Sequence, residues 1–203
     1  MTQLPEVSSQ EEGLTDPNSA RGRILTRAAR LFREKGYERT TVRDLAAAVG
    51  IQSGSIFHHF PNKEAILRAV MEDTIRLNTA RMRLALQQAA TPHERLRALI
   101  RCELESINGE TGEAMAVLVY EWRSLSEVNQ KDILRLRDVY EDLWMGVLTE
   151  LGNSGQIDAD PFFVRRFLTG ALSWTITWYR PGGDMDLDDL SDEVLRTLRL
   201  SPK

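Results

Sequence analysis

Residues 37–67 read YERTTVRDLAAAVGIQSGSIFHHFPNKEAIL, and the fold follows from them. Thr41 stands three residues before Asp44, the spacing of a short capping box, and Gly50 is a natural helix terminator. A short helix over 42–49 is therefore expected, then a turn of two or three residues, then a second short helix over 53–60. Alanines 46, 47 and 48 allow close packing of the first helix, while Ile51 and Ile56 fill the angle between the two. This is a helix-turn-helix, whose second helix enters the major groove with its polar face toward the base edges. Gln52, Ser53, Ser55 and His58 are the candidates for that face, and Arg21, Arg23, Arg39, Arg43 and Lys63 are basic neighbours suited to phosphates. Gly54 leaves room for the backbone to approach DNA, or for one helix to approach the other.

Outward from this stretch the whole chain reads as helix. Apolar residues recur at 3–4 spacing, and no segment alternates apolar and polar residues between turn signals. About nine helices are predicted: 19–35, 42–49, 53–60, one from near 62 to about 90, then 92–108, 112–125, 129–151, 161–179 and 188–200. Thr91-Pro92-His93-Glu94 combines a capping box with proline at the first helical position, and Asp160-Pro161 repeats the cap-then-proline order. The 161–179 helix carries Phe162, Phe163, Phe167, Trp174 and Trp178 on more than one face, so it is expected to be covered on both sides. The expected division is a disordered acidic tail over 1–18, a helix-turn-helix domain over 19–65, and a ligand-binding and dimerisation domain over 66–203. The fold class is all-α.

The formal charge of −4 over 203 residues hides a segregation. Residues 1–18 carry −4, residues 19–82 carry +6 and the rest carry −6. A polyanion meets the local charge, so the basic segment suits nucleic acid. A single cysteine, Cys102, excludes an internal disulfide and fits a reducing cytoplasm. No apolar run approaches the roughly 18 residues of a membrane span, and the first residues do not resemble a signal peptide. Nucleophile elbows, phosphate-cradling glycine loops and His-Glu-x-x-His spacing are all missing, which argues against an enzyme. No cofactor is expected. Adjacent His58 and His59 point about 100° apart on a helix and do not chelate one metal ion, so no metal site is expected.

Residues 21–67 resemble the DNA-binding domain of the TetR (tetracycline-repressor) family of bacterial transcription regulators. The resemblance rests on ILTRAARLFREKGYERTTVRDLA (24–46), GSIFHHF (54–60) and FPNKEAIL (60–67). It implies an all-α homodimer whose helical C-terminal domain loosens DNA binding when a ligand occupies it. By position it implies phosphate contacts from Thr41, His59 and Lys63, and groove contacts from Gln52, Ser53, Ser55 and His58. Phe57 stands where the family usually has tyrosine, so a phosphate-binding hydroxyl is missing there. Gln52 stands where a capping serine is common, which trades the cap for a base-reading amide.

EWRSL (121–125), LRDVYEDLW (136–144) and GALSWTITWYRPGG (170–183) together resemble the branch of the family that controls lipid or sterol degradation and responds to acyl-coenzyme A thioesters. That resemblance makes Arg123, Arg137 and Arg180 candidate phosphate partners of the ligand, and Trp122, Tyr140, Trp174 and Trp178 candidate linings of an apolar tunnel. Each has a plainer reading. The tryptophans suit a core or dimer seam, the arginines suit pairing with nearby acids, and Cys102 suits a small core hydrophobe. The expected partners are palindromic double-stranded DNA, a hydrophobic small-molecule effector and a second copy of the chain through helices 8 and 9, with no membrane. Two alternatives stay open: a drug-responsive repressor of an efflux gene, and a helical lipid-binding or scaffold module without DNA. The +6 segment favours the DNA-binding readings.

Overall fold

A computed structural model describes residues 13–109 and 111–198. Among them are nine α-helices, two 3-10 turns and no strand. The helices gather into two compact units. One comprises 13–77 with 111–137, and the other 78–109 with 138–198. Residues 66–77 and 111–137 group with the helix-turn-helix.

In the first unit, α1 (Ala20–Lys35) starts at Ser19, whose Oγ accepts from the Gly22 N–H at 2.9 Å. The turn before it is folded back on the helix: a Cβ at Gly22 would overlap the Asp16 carbonyl and Pro17. Residues 16–18 thus form a turn held by Asp16, where an unstructured tail was expected, while residues 1–12 of that tail lie outside the described residues. Next comes α2 (Val42–Val49), with the Thr41–Asp44 capping box formed in both directions. Gly50 ends it at φ +77°, a left-handed conformation that glycine adopts without strain.

The recognition helix α3 is shorter than expected, Ser53–Ile56 rather than 53–60. The N–H groups of Phe57, His58 and His59 bond to carbonyls three residues back, the tight 3-10 pattern of a helix running out. Pro61 disfavours helical geometry at Phe60, and Gly54 weakens the helix from within. Then α4 (Lys63–Gln88) begins, with Asn62 Oδ1 accepting from the Ala65 N–H. Ile24, Phe32, Leu45, Ile56, Phe60 and Leu67 are fully buried and form the core under these helices. Against α1 lies α6 (Gly112–Tyr120), with Val117 fully buried. The single helix expected over 112–125 breaks at Glu121 into a 3-10 turn over Trp122–Ser124. Residues up to 137 of α7 (Glu127–Asn153) complete the unit.

In the second unit α5 (Pro92–Asn108) packs on α8 (Pro161–Trp174) and α9 (Leu187–Thr197). Its Thr91–Glu94 capping box is formed. The core holds Leu96, Leu99, Ile100, Leu104, Trp144, Leu148, Leu168 and Leu172, with Leu190 and Leu195 from α9. Helix α8 stops at Trp174 rather than 179. Buried Thr175 donates its hydroxyl to the Leu172 carbonyl and accepts from Asn108 Nδ2 at 2.9 Å, drawing the chain into a 3-10 turn. Among the described residues only one side of α8 is covered: Phe162, Phe163, Phe167 and Trp174 remain exposed. No helix among the described residues is long and apolar enough to cross a membrane.

Candidate nucleic-acid interface

Gln52 initiates α3 in extended geometry (φ −72°, ψ 145°), and its side chain makes no capping hydrogen bond. Its amide is exposed, as is His58, while Ser53 and Ser55 are half-buried beside them. A Cβ added to Gly54 would meet no neighbouring element within 4 Å among the described residues. Phe57 is 54% exposed, an apolar ring in a polar row. The short helix is held from beneath rather than by its own polar groups. Ile56 and Phe60 are anchored in the core, and Arg21 donates from Nη1 to the His59 carbonyl at 2.9 Å while its guanidinium lies 4.1 Å over the Phe60 ring.

Two of the expected phosphate contacts are engaged within the protein. Arg43 is exposed on α2. Thr41 is exposed, but its hydroxyl is the α2 cap, donating to Asp44 Oδ2 at 2.7 Å and accepting from the Asp44 N–H at 3.1 Å. The Thr41 backbone N–H, which donates to Asp44 Oδ2 at 2.8 Å, and then the Thr41 hydroxyl hold the Asp44 carboxyl below its ordinary range. Lys63 is committed further. Its ammonium donates to the carbonyls of Tyr37 at 2.8 Å, Thr40 at 3.0 Å and Glu38 at 3.4 Å. His59 is half-buried.

Two carboxylates that sequence reasoning passed over complete this unit. Glu121 Oε1 accepts from the Tyr37 N–H at 3.0 Å, and its Oε2 accepts from the Ser124 hydroxyl at 2.9 Å. Glu64 Oε1 accepts from the Ser126 N–H at 2.7 Å and from Asn129 Nδ2 at 2.6 Å. Both join residues more than sixty positions apart, a relationship no local spacing reveals.

The ligand candidates are dispersed. In the first unit, Trp122 is half-buried in its 3-10 turn, and Arg123 and Arg137 are exposed. In the second, Trp174, Trp178 and Arg180 are exposed. Trp178 lines an apolar cavity of about 370 Å³ between α8 and α9, with Val164, Phe167, Leu168, Leu190 and Val194. No other ligand candidate lines it. Tyr140 is bound into a buried ionic cluster: its hydroxyl donates to Glu103 Oε2 at 2.6 Å. Arg165, 2% exposed, pairs with Glu141 through two nitrogens at 2.9 and 3.0 Å, approaches Glu103 at 3.4 Å and stacks 4.3 Å from the Trp144 ring. Burial, with the Glu103 charge beside it, pushes the Tyr140 hydroxyl well above its ordinary value. Burial likewise raises the Cys102 thiol to about 12, the behaviour of a core residue rather than a reactive thiol.

Known proteins carry the same architecture. Residues 24–70 match the family described as bacterial regulatory proteins, tetR family, and residues 89–200 match the tetracyclin repressor-like C-terminal domain. The HTH-type transcriptional repressor KstR2 of Mycolicibacterium smegmatis (strain ATCC 700084 / mc(2)155) is 31% identical over 94% of this chain and 91% of its own. The solved structure of the superantigen PfiT is 64% identical over 91% of this chain and 98% of its own, with a TM-score of 0.79. AibR, solved with isovaleryl coenzyme A and operator DNA, is 25% identical over 90% of this chain and all of its own, with a TM-score of 0.80.

Proposed function

The chain belongs to the TetR family of bacterial regulatory proteins, and on that premise we propose that it is a dimeric repressor released from a palindromic operator by an acyl-coenzyme A thioester. The observation that carries the DNA-reading half is the polar row at α3, exposed at Gln52 and His58. Gln52 offers an amide not used for capping, and Ser53, Ser55 and His58 flank it. An amide of this kind pairs with adenine N6 and N7 in the major groove. Arg43, Thr41, His59 and Lys63 border the row and serve the phosphates, Lys63 and Thr41 chiefly by holding the loop before α2 in place.

The effector half rests on likeness: AibR was solved with a coenzyme A thioester, and KstR2 spans nearly the whole chain. Trp178 and the 370 Å³ cavity supply an apolar surface of the size that takes a small acyl group. Trp122, Tyr140 and Trp174, with Arg123, Arg137 and Arg180, are the further ligand candidates. The exposed aromatics of α8 make a surface that a second copy of the chain would cover through α8 and α9. A thioester releases DNA only in proportion to its preference for the conformation whose recognition helices are wrongly spaced. As a DNA-bound regulator, the protein would work in the cytoplasm.

The test is a gel-shift titration on the DNA upstream of the chain's own coding sequence, across a salt series, with and without isovaleryl and long-chain acyl-CoA. A sequence-specific complex with a steep salt slope, dissolved by a thioester, is the expected result. Absence of both complex and slope rejects the repressor. Release by a hydrophobic cationic drug, with no response to any thioester, leaves the repressor and replaces its effector.

A further inference from the structure

Tyr37 is held at both of its backbone ends. Its N–H is taken by Glu121 Oε1 at 3.0 Å, and its carbonyl by Lys63 Nζ at 2.8 Å. Lys63 opens α4, three residues after Phe60 closes the recognition turn, and it also gathers the carbonyl of Thr40, the residue before the α2 cap. Glu121 closes α6 and opens the 3-10 turn that contains Trp122. The loop over 36–40 therefore sits between a carboxylate from the 121–129 segment and an ammonium from the start of α4. Gly36 turns the chain into this loop at φ +81°, a backbone conformation that other residues rarely adopt.

We propose that Glu121 is a positioning residue for operator recognition, coupling the Trp122 turn to the helix-turn-helix through the backbone of Tyr37. This rests on the reading of the chain as a DNA-binding regulator. The physical reason is that a loop clamped from two sides has few ways to move alone. A shift of the 122–124 turn displaces the Glu121 carboxylate, and with it the Tyr37 N–H and the cap of α2, against which α3 packs. Because linkage is reciprocal, operator binding must also be felt at Trp122. Two other routes are present: α6 packs directly on α1, and the Glu64 carboxylate ties the first turn of α4 to Ser126 and Asn129. A Trp122 response that survives in Glu121→Ala by either route overturns the proposal.

Reciprocity allows a test without any effector. The full chain is labelled with 5-fluorotryptophan, giving four 19F signals, and Trp122 is assigned by its loss in Trp122→Phe. The probe is a palindromic duplex selected by the protein from a random DNA library, and affinity is measured separately by gel shift. Operator addition is expected to move the Trp122 signal in the wild type and in Glu121→Gln, which keeps an acceptor oxygen for the Tyr37 N–H. In Glu121→Ala the signal should stay still, while operator affinity falls by about three- to tenfold, the loss of one modest hydrogen bond. The folded-state 19F pattern verifies that this variant remains folded. An unmoved Trp122 signal in the wild-type complex overturns the proposal. So does a response that survives in Glu121→Ala but vanishes in Glu64→Ala, which assigns the coupling to α4. A protein that selects no duplex at all rejects the regulator reading and this inference together.

Discussion

The ammonium of Lys63 lies 4.1 Å from the centre of the Tyr37 ring while donating to the same residue's carbonyl at 2.8 Å. A basic residue expected to meet phosphate thus also binds the protein's own backbone. Lys63→Met should cost about 1.5–3 kcal/mol of stability, the range for hydrogen bonds to a charged group. Arg43→Ala, at an exposed position, should stay within about 0.5 kcal/mol of the wild type. Urea denaturation separates them. In gel shifts Arg43→Ala should weaken all sequences alike and reduce the salt slope by about one.

Gln52 and His58 are exposed, and the Gln52 side chain makes no capping bond to α3. Gln52→Ala and His58→Ala should leave the urea midpoint unchanged yet relax operator preference, each by about 1–3 kcal/mol at its own base pair. Competition between operator variants reads this directly. A uniform loss across all variants would reassign these residues to phosphates.

The Arg165 cluster sets two substitutions apart. Arg165→Met leaves Glu103, itself 4% exposed, and Glu141 without their cation, and should cost about 3–5 kcal/mol. Tyr140→Phe removes only the hydroxyl donor to Glu103 and should cost about 1.5–3 kcal/mol. Comparable losses in the two unfolding curves would mean that the arginine is not the centre of the cluster.

Glu64 gives a pH dependence. The Ser126 bonds, then Asn129 and the charge of Arg68, hold its carboxyl below its ordinary value of 4.5. A depressed folded-state value makes the stabilisation fully present above the unfolded value and lost as pH falls through the folded one. The stability difference between wild type and Glu64→Gln should therefore be flat above about pH 6 and shrink progressively below about pH 4.5. Chemical denaturation from pH 7 to 3 checks it. A difference that grows on acidification has the opposite sign and contradicts the assignment.

Where the chain speaks locally, its sequence can be read almost to the residue. The Thr41–Asp44 and Thr91–Glu94 boxes mark starts at Val42 and Pro92, and Gly50 marks an end, because each signal acts within one helical turn. What reads poorly depends on distant partners. The break at Glu121 accompanies a bond to Tyr37 eighty-four positions away, and α8 ends where Thr175 meets Asn108. Periodicity continues smoothly through both points, since the apolar pattern does not encode which polar group a side chain will find. Lys63 and Tyr140 likewise have partners that spacing does not reveal, three backbone carbonyls for one and a carboxylate for the other.

The four-residue recognition helix stands on Ile56, Phe60 and Arg21, and its outward residues add little to holding it there. Scaffold and message are therefore separable. On the proposed reading, changes at the exposed positions 52 and 58 would redirect the protein to a new DNA address with little folding penalty. Duplicated copies of such a gene are free to diverge in target while sharing one architecture, and an engineer can rewrite the address by the same route.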